Sequence, residues 1–140
     1  MKEIEMTKLT IDSSVFISSL GVHDEYTSDS RKFFEKCNDY EILVPTLVVA
    51  EVMTVLSKQG LKNAANLLKY FSSLSLVSLD YGFLKYFASH LTPSPTLKSS
   101  DLIVALSASK SNAILITWDK KLLSTGRKLC QVKTPVAYLE

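Results

Sequence analysis

A chain of 140 residues, 46% of them hydrophobic, can bury one sizeable core, which excludes a disordered protein. Its net charge of +2 is too small to mark a nucleic-acid binder by itself. The longest apolar run, Ile42 to Ala50, contains Pro45, stops at Glu51 and is too short to cross a membrane. The opening "MKEIEMTKL" lacks the apolar stretch of a signal peptide, so a cytoplasmic location is expected. Cys37 and Cys130 have no histidine at metal-ligand spacing and read as reduced thiols. With no repeat, linker or low-complexity tract, residues 1–140 read as a single domain.

The elements alternate along the chain. Lys8 to Ile11 predicts a first strand, and a helix starts at Val15. The polar stretch "GVHDEYTSDS" follows, with Asp29 or Ser30 expected to cap the helix "RKFFEKC". "EILVP" predicts the second strand, and "TLVVAEVMTVLSKQG" a helix opened by Thr46 and closed near Gly60. "KNAANLLKYFSSL" reads as a helix with Ala64, Leu67, Leu68 and Phe71 on one face. "SLVSL" predicts the third strand. "YGFLKYFASHL" is helical and stops before Pro93 and Pro95. "SSDLIVALSASKSN" is a helix with serine caps, "AILIT" the fourth strand, "DKKLLSTG" a short helical turn, and "VKTPVAYL" holds a last strand. Strands alternating with helices imply a parallel sheet of four to five strands with helices on both faces, a three-layer α/β/α fold.

Parallel sheets present the carboxyl ends of their strands to ligands. Asp12 ends the first strand, Asp119 follows the fourth, Asp101 opens the helix before it, and Glu51 lies about one and a half turns into the helix after the second strand. Each of three has a structural alternative: Asp12 as an Asx-turn, Asp101 as a charge at a helix N-terminus, Asp119 as a cap. Glu51 is harder to explain, because Leu47, Val48 and Val55 place it on the apolar stripe of its helix. Burial there calls for a Lys or Arg partner, or for a cation. Four converging carboxylates repel one another, and oxygen-only ligands favour Mg²⁺ or Mn²⁺ over zinc.

"IDSSVFI" with Asp12, "VPTLVVAEV" with Glu51, "SSDLIVALSA" with Asp101 and "AILITWDKKL" with Thr117 and Asp119 occur in one order over nearly the whole chain. In this the sequence resembles the PIN domain, the metal-dependent ribonuclease fold that includes the toxins of VapBC toxin–antitoxin pairs. The resemblance implies that Asp12, Glu51, Asp101 and Asp119 are the acidic Mg²⁺ or Mn²⁺ ligands, with Ser13 and Thr117 as polar supports. It implies an RNA substrate, a homodimer and an antitoxin partner. The sequence departs from the family at Lys121, where an aromatic is usual, while Lys98 lies three residues before Asp101.

The activity implied is phosphodiester hydrolysis assisted by one or two divalent ions. The two histidines suggest no triad: His23 reads as a solvated loop residue, and His90 as a partner of last-turn carbonyls. No phosphate-binding glycine motif points to a nucleotide cofactor. Lys98, Lys110, Lys120, Lys121, Arg127 and Lys128 are candidates for holding the RNA backbone, with a solvated basic face as the alternative. Phe33, Phe34, Tyr70, Phe71, Phe83, Tyr86 and Phe87 read as core or dimer interface, and the helices Lys62–Leu74 and Tyr81–Leu91 as candidate interface elements. A competing reading is a PIN-like protein that binds RNA or a partner without cutting. A small phosphatase or receiver-like protein is a third, and the spacing of its acids fits poorly.

Overall fold

The computed structural model describes residues 7–37, 40–60, 63–93 and 96–140. Five strands, β1 (Lys8–Ile11), β2 (Glu41–Pro45), β3 (Ser75–Val77), β4 (Ile114–Ile116) and β5 (Val132–Lys133), form one sheet in the order β3-β2-β1-β4-β5. Every pairing is parallel, with Leu9 facing Ile42 on one side and Ile114 on the other. The described residues also form eight α-helices, seven between the strands and one after the last: α1 (Ser13–Leu20), α2 (Thr27–Lys36), α3 (Thr46–Lys58), α4 (Ala64–Ser72), α5 (Tyr81–Ser89), α6 (Ser99–Lys110), α7 (Lys120–Thr125) and α8 (Pro135–Leu139). The α/β/α layering is the one the alternating pattern predicts.

The strand order explains the layers. The chain steps outward from β1 to β2 to β3, then returns to β4 on the far side of β1. Right-handed crossovers put the helices of the two halves on opposite faces. α1 packs on α2 and α3, and α3 on α4, while α6 packs on β1 and β4. Leu9, Ile11, Val44, Leu115 and Ile116 are fully buried in the sheet, as expected of strands covered on both sides. Phe16, Phe33, Phe71 and Phe83 fill the helix layers. Burial of each large side chain of this kind contributes roughly 1.5–3 kcal/mol.

Helix ends follow local chemistry. Past the end of α3, Gly60 has φ +84°, a left-handed position that glycine takes without a Cβ clash. Past the end of α6, Asn112 does the same at φ 53°.

Several boundaries differ from expectation. α2 begins at Thr27, so Asp29 and Ser30 lie inside it rather than capping it. Thr27 Oγ1 donates to Asp24 Oδ1 and accepts from the Asp24 amide, and this closed turn starts the helix early. α6 has no side-chain cap: Lys98 occupies that position, and Ser99 and Ser100 are its first helical residues. On α4 only Phe71 is buried, whereas Ala64 and Leu68 face outward. "VKTPVAYL" gives a two-residue strand and then a helix, because Pro135 suits a first helical position and Thr134 caps it through the Ala137 amide. The expected helix start at Lys62, Pro95, and the first six residues lie outside the described residues. Among the described residues no helix is long and apolar enough to cross a membrane.

Cys37 and Cys130 are free thiols, and burial pushes both up to about 11.

Candidate active site

The order of the strands reverses between β1 and β4, which makes their carboxyl ends the crevice of the sheet. Asp12 sits there, its amide donating to Ile116 O at 3.0 Å and so extending the β1–β4 pairing by one residue. Its backbone is extended, and its carboxylate turns back to cap α1. Only 5% of the residue is exposed. Oδ2 accepts from the Ser14 hydroxyl at 2.8 Å, the Thr117 hydroxyl at 2.9 Å and the Ser14 amide at 3.4 Å.

Thr117 is fully buried directly after β4. Its hydroxyl donates to Asp12 and accepts from the Asp119 amide at 2.9 Å, so it links two of the acids. Ser14 acts in parallel, donating to Asp12 and accepting from the Trp118 amide at 3.1 Å. The serine over Asp12 is therefore Ser14, not Ser13. A carboxylate at the helix cap reaches the residue two positions on, and Ser13, one position on, makes no hydrogen bond to it among the described residues.

Asp119 caps α7, its Oδ1 accepting from the amides of Lys121 at 2.8 Å and Leu122 at 3.0 Å. Asp12 thus uses Oδ2 and Asp119 uses Oδ1. Among the described residues the only buried side-chain oxygens without a partner belong to Thr10 and Ser107. The second oxygen of each carboxylate therefore reaches solvent. The structural alternatives read from the sequence for Asp12 and Asp119 are real, and they occupy only half of each group.

Glu51 lies on the second turn of α3 and Asp101 in the first turn of α6; both are half-buried. Burial pushes the Glu51 carboxyl above its ordinary value; the Asp12 charge raises it, Lys98 lowers it, and Asp101 raises it further. Burial likewise raises Asp101, with Lys98 opposing, Asp119 and Asp12 adding to the rise, and Lys121 opposing. Asp12 and Asp101 thus act on Glu51, and Asp12 and Asp119 on Asp101, so residues spread from position 12 to 119 share one electrostatic neighbourhood. Lys98 answers two of them from the start of α6. Lys110 is elsewhere: it ends α6, about 14 Å from Asp101 at the rise of a helix, with its ammonium 5.8 Å from the ring centres of Phe83 and Tyr86.

Among the described residues no three His, Cys, Asp or Glu side chains stand ready to hold a metal ion as they are. The donor set is nonetheless all oxygen, mutually repelling and partly open to water. That chemistry fits a hydrated Mg²⁺ or Mn²⁺, which binds through few carboxylates and keeps waters, and does not fit zinc.

Trp118 is the residue that sequence reading missed. Its indole Nε1 donates to Ser30 Oγ at 2.8 Å, and its ring stacks on Tyr26 with centroids 4.5 Å apart. Ser30 is fully buried and bonds Ser18. α1, α2 and the loop carrying Thr117 and Asp119 are thereby tied together. A tryptophan between Thr117 and Asp119 was the only signal available. His90 behaves as read: Nδ1 lies 2.8 Å from the Tyr86 carbonyl of the last turn.

Comparison with known proteins agrees with this geometry. A family model described as the PIN domain matches residues 9–128. No curated protein matches the chain. Among solved structures, VapBC2 from Rickettsia felis bound to a DNA fragment from its promoter is similar at TM-score 0.66 and 15% identity, covering 91% of this chain and 98% of that one. A toxin–antitoxin complex from Klebsiella pneumoniae is similar at 0.69 and 17%, covering 91% and 97%. Mycobacterium tuberculosis VapC20, a toxin that cleaves the sarcin–ricin loop, is similar at 0.70 and 12%, covering 84% and 95%. At such identities these structures share the fold. A family match over most of the length, on a fold shared with these structures, shows that this chain belongs to the PIN-domain family.

Proposed function

We propose that the chain is a divalent-metal-dependent endoribonuclease, with Asp12, Glu51, Asp101 and Asp119 as ligands of Mg²⁺ or Mn²⁺. The observation that supports this most is that burial and the charges of Asp12 and its acidic neighbours raise Glu51 and Asp101 together, beside the held carboxylates of Asp12 and Asp119. A bound Mg²⁺ or Mn²⁺ supplies an activated water and neutralises charge on the phosphate and leaving oxygen. The chain's own residues prepare the place. Thr117 and Ser14 hold one oxygen of Asp12 and leave the other free, and α7 does the same for Asp119 through backbone amides. Lys98, just before α6, and Lys121, on α7, act on the acids and in this reading meet a substrate phosphate.

Residues 1–140 act as one unit in this reading, in the cytoplasm where RNA is available. The similarity to toxin–antitoxin complexes supports an antitoxin as partner. A homodimer is supported by the exposed apolar residues of the α4–β3–α5 side, where Leu68, Leu76, Tyr81 and Leu84 are 46–76% exposed.

The test is incubation of a mixed RNA pool with Mg²⁺ or Mn²⁺, with an EDTA control and the Asp101→Asn variant. Fragments that need metal and vanish in the variant are expected. RNA that is retained but uncut with either metal would contradict the proposal and leave a binding protein.

A further inference from the structure

Beside the acids lies a cleft of about 350 Å³ that the proposed chemistry does not use. That volume is at the small end of the range of about 300–1,000 Å³ for ligand pockets. Its apolar lining comes from Leu97, Leu102 and Leu129, and Thr92, Thr96 and Thr125 complete it. Lys128 and His90 line it too, and both are exposed. The Tyr86 carbonyl and the Ser89 hydroxyl hold the His90 ring through Nδ1, at 2.8 and 3.0 Å.

The position of the cleft is as informative as its lining. Leu97 precedes Lys98, and Leu102 follows Asp101, so consecutive Cα atoms about 3.8 Å apart join cleft to acids. Thr125 ends the helix that Asp119 begins. Cations stand at both places: Lys98 and Lys121 act on the acids, and Lys128 lines the cleft. Apolar side chains for a base face, hydroxyls that either donate or accept for a base edge, and ammonium groups for phosphates are what a splayed-out nucleotide requires. A partner's apolar side chain would use the leucines and leave Lys128 without a role.

We propose that this cleft seats one nucleobase of single-stranded RNA next to the scissile phosphate and so sets base preference. The proposal rests on the ribonuclease reading for its biological meaning, and its test separates the two. Thr96→Trp, at an exposed loop position, fills the cleft, and Lys128→Ala removes its cation. The full-length protein, its variants and Asp12→Asn are titrated, in EDTA, into a fluorescently labelled single-stranded RNA of random sequence. The cut sites of the same pool are then sequenced with Mn²⁺ present.

Each cleft variant is expected to weaken RNA binding at least about fivefold, within the effect of one stacked base or phosphate contact. Thr96→Trp is also expected to flatten base preference at one position beside the cut. Asp12→Asn is expected to stop cleavage and to bind RNA within about twofold of wild type. Wild type that cuts nothing, with both cleft variants still weakened in binding, would reject the nuclease and retain the cleft. Cleft variants that bind and cut with unchanged preference would overturn the cleft and leave the nuclease intact. Should Thr96→Trp fail to fold by circular dichroism, Lys128→Ala decides through binding alone.

Discussion

At the scale of single residues, the site is a contest between structural and chemical demands on the same carboxylates. Thr117 Oγ1 and Ser14 Oγ both donate to Asp12 Oδ2, which fixes the carboxylate and leaves Oδ1 outward. Glu51 has no such support among the described hydrogen bonds, and burial with the charges of Asp12 and Asp101 raises its carboxyl. A carboxyl raised by folding gives stability in its neutral form below its ordinary value of 4.5, and that stability is lost as pH rises through the raised folded value. At pH 7 the metal-free protein carries the full penalty, and Glu51→Gln removes it. We predict that this variant melts about 1–3 °C higher than wild type at pH 7 without metal, and equally at about pH 4. Because Glu51 is only half-buried, solvent screening limits the gain to about 0.5–1 kcal/mol. Thermal melts across this pH range check it; identical melting at both pH values would mean that Glu51 does not share a field with the other acids.

Elements place these residues through connections that the sequence revealed unevenly. The strands were legible, because β2 and β4 carry the apolar runs Ile42, Leu43, Val44 and Ile114, Leu115, Ile116, while β1 pairs apolar with β-branched residues and stops at Asp12. So was the end of α3, near Gly60. The start of α2 was not, because it depends on a hydroxyl–carboxylate turn between Asp24 and Thr27 rather than on a cap with helical spacing. The choice of Ser14 over Ser13 was hidden too, since it depends on how the carboxylate folds back over α1. Trp118 joins elements far apart in sequence, and no local pattern announces its bond to Ser30. Trp118→Phe would leave Ser30 without its indole donor and remove part of the stack on Tyr26. The expected cost is about 1–3 kcal/mol, with weaker cleavage as the loop bearing Thr117 and Asp119 loosens. Urea unfolding checks the first effect, and a variant as stable as wild type would show that the indole does not brace the loop.

Across the whole molecule, the strand order brings the site together: the reversal at β1 and β4 sets Asp12 against Thr117, and the flanking helices bring Glu51 and Asp101 from either side. Asp12, Asp101 and Asp119 drew notice in the sequence because each sits at a strand end or a helix start, and Glu51 because it interrupts the apolar stripe of α3. Their incomplete ligating geometry was not legible, because side-chain approach is a tertiary property. On the outer side, the exposed apolar residues of α4, β3 and α5 predict self-association. Sedimentation at tens of micromolar should show a species of about twice the 15.6 kDa chain, and a monomer alone would count against it. The central claim is that four carboxylates form one divalent-cation site. Calorimetric titration of Mn²⁺ into wild type, Asp12→Asn, Glu51→Gln, Asp101→Asn and Asp119→Asn tests it directly. The predicted result is uptake by wild type and weakening by about tenfold or more in each variant, the equivalent of about 1.4 kcal/mol. Equal Mn²⁺ affinity in all five proteins would contradict it.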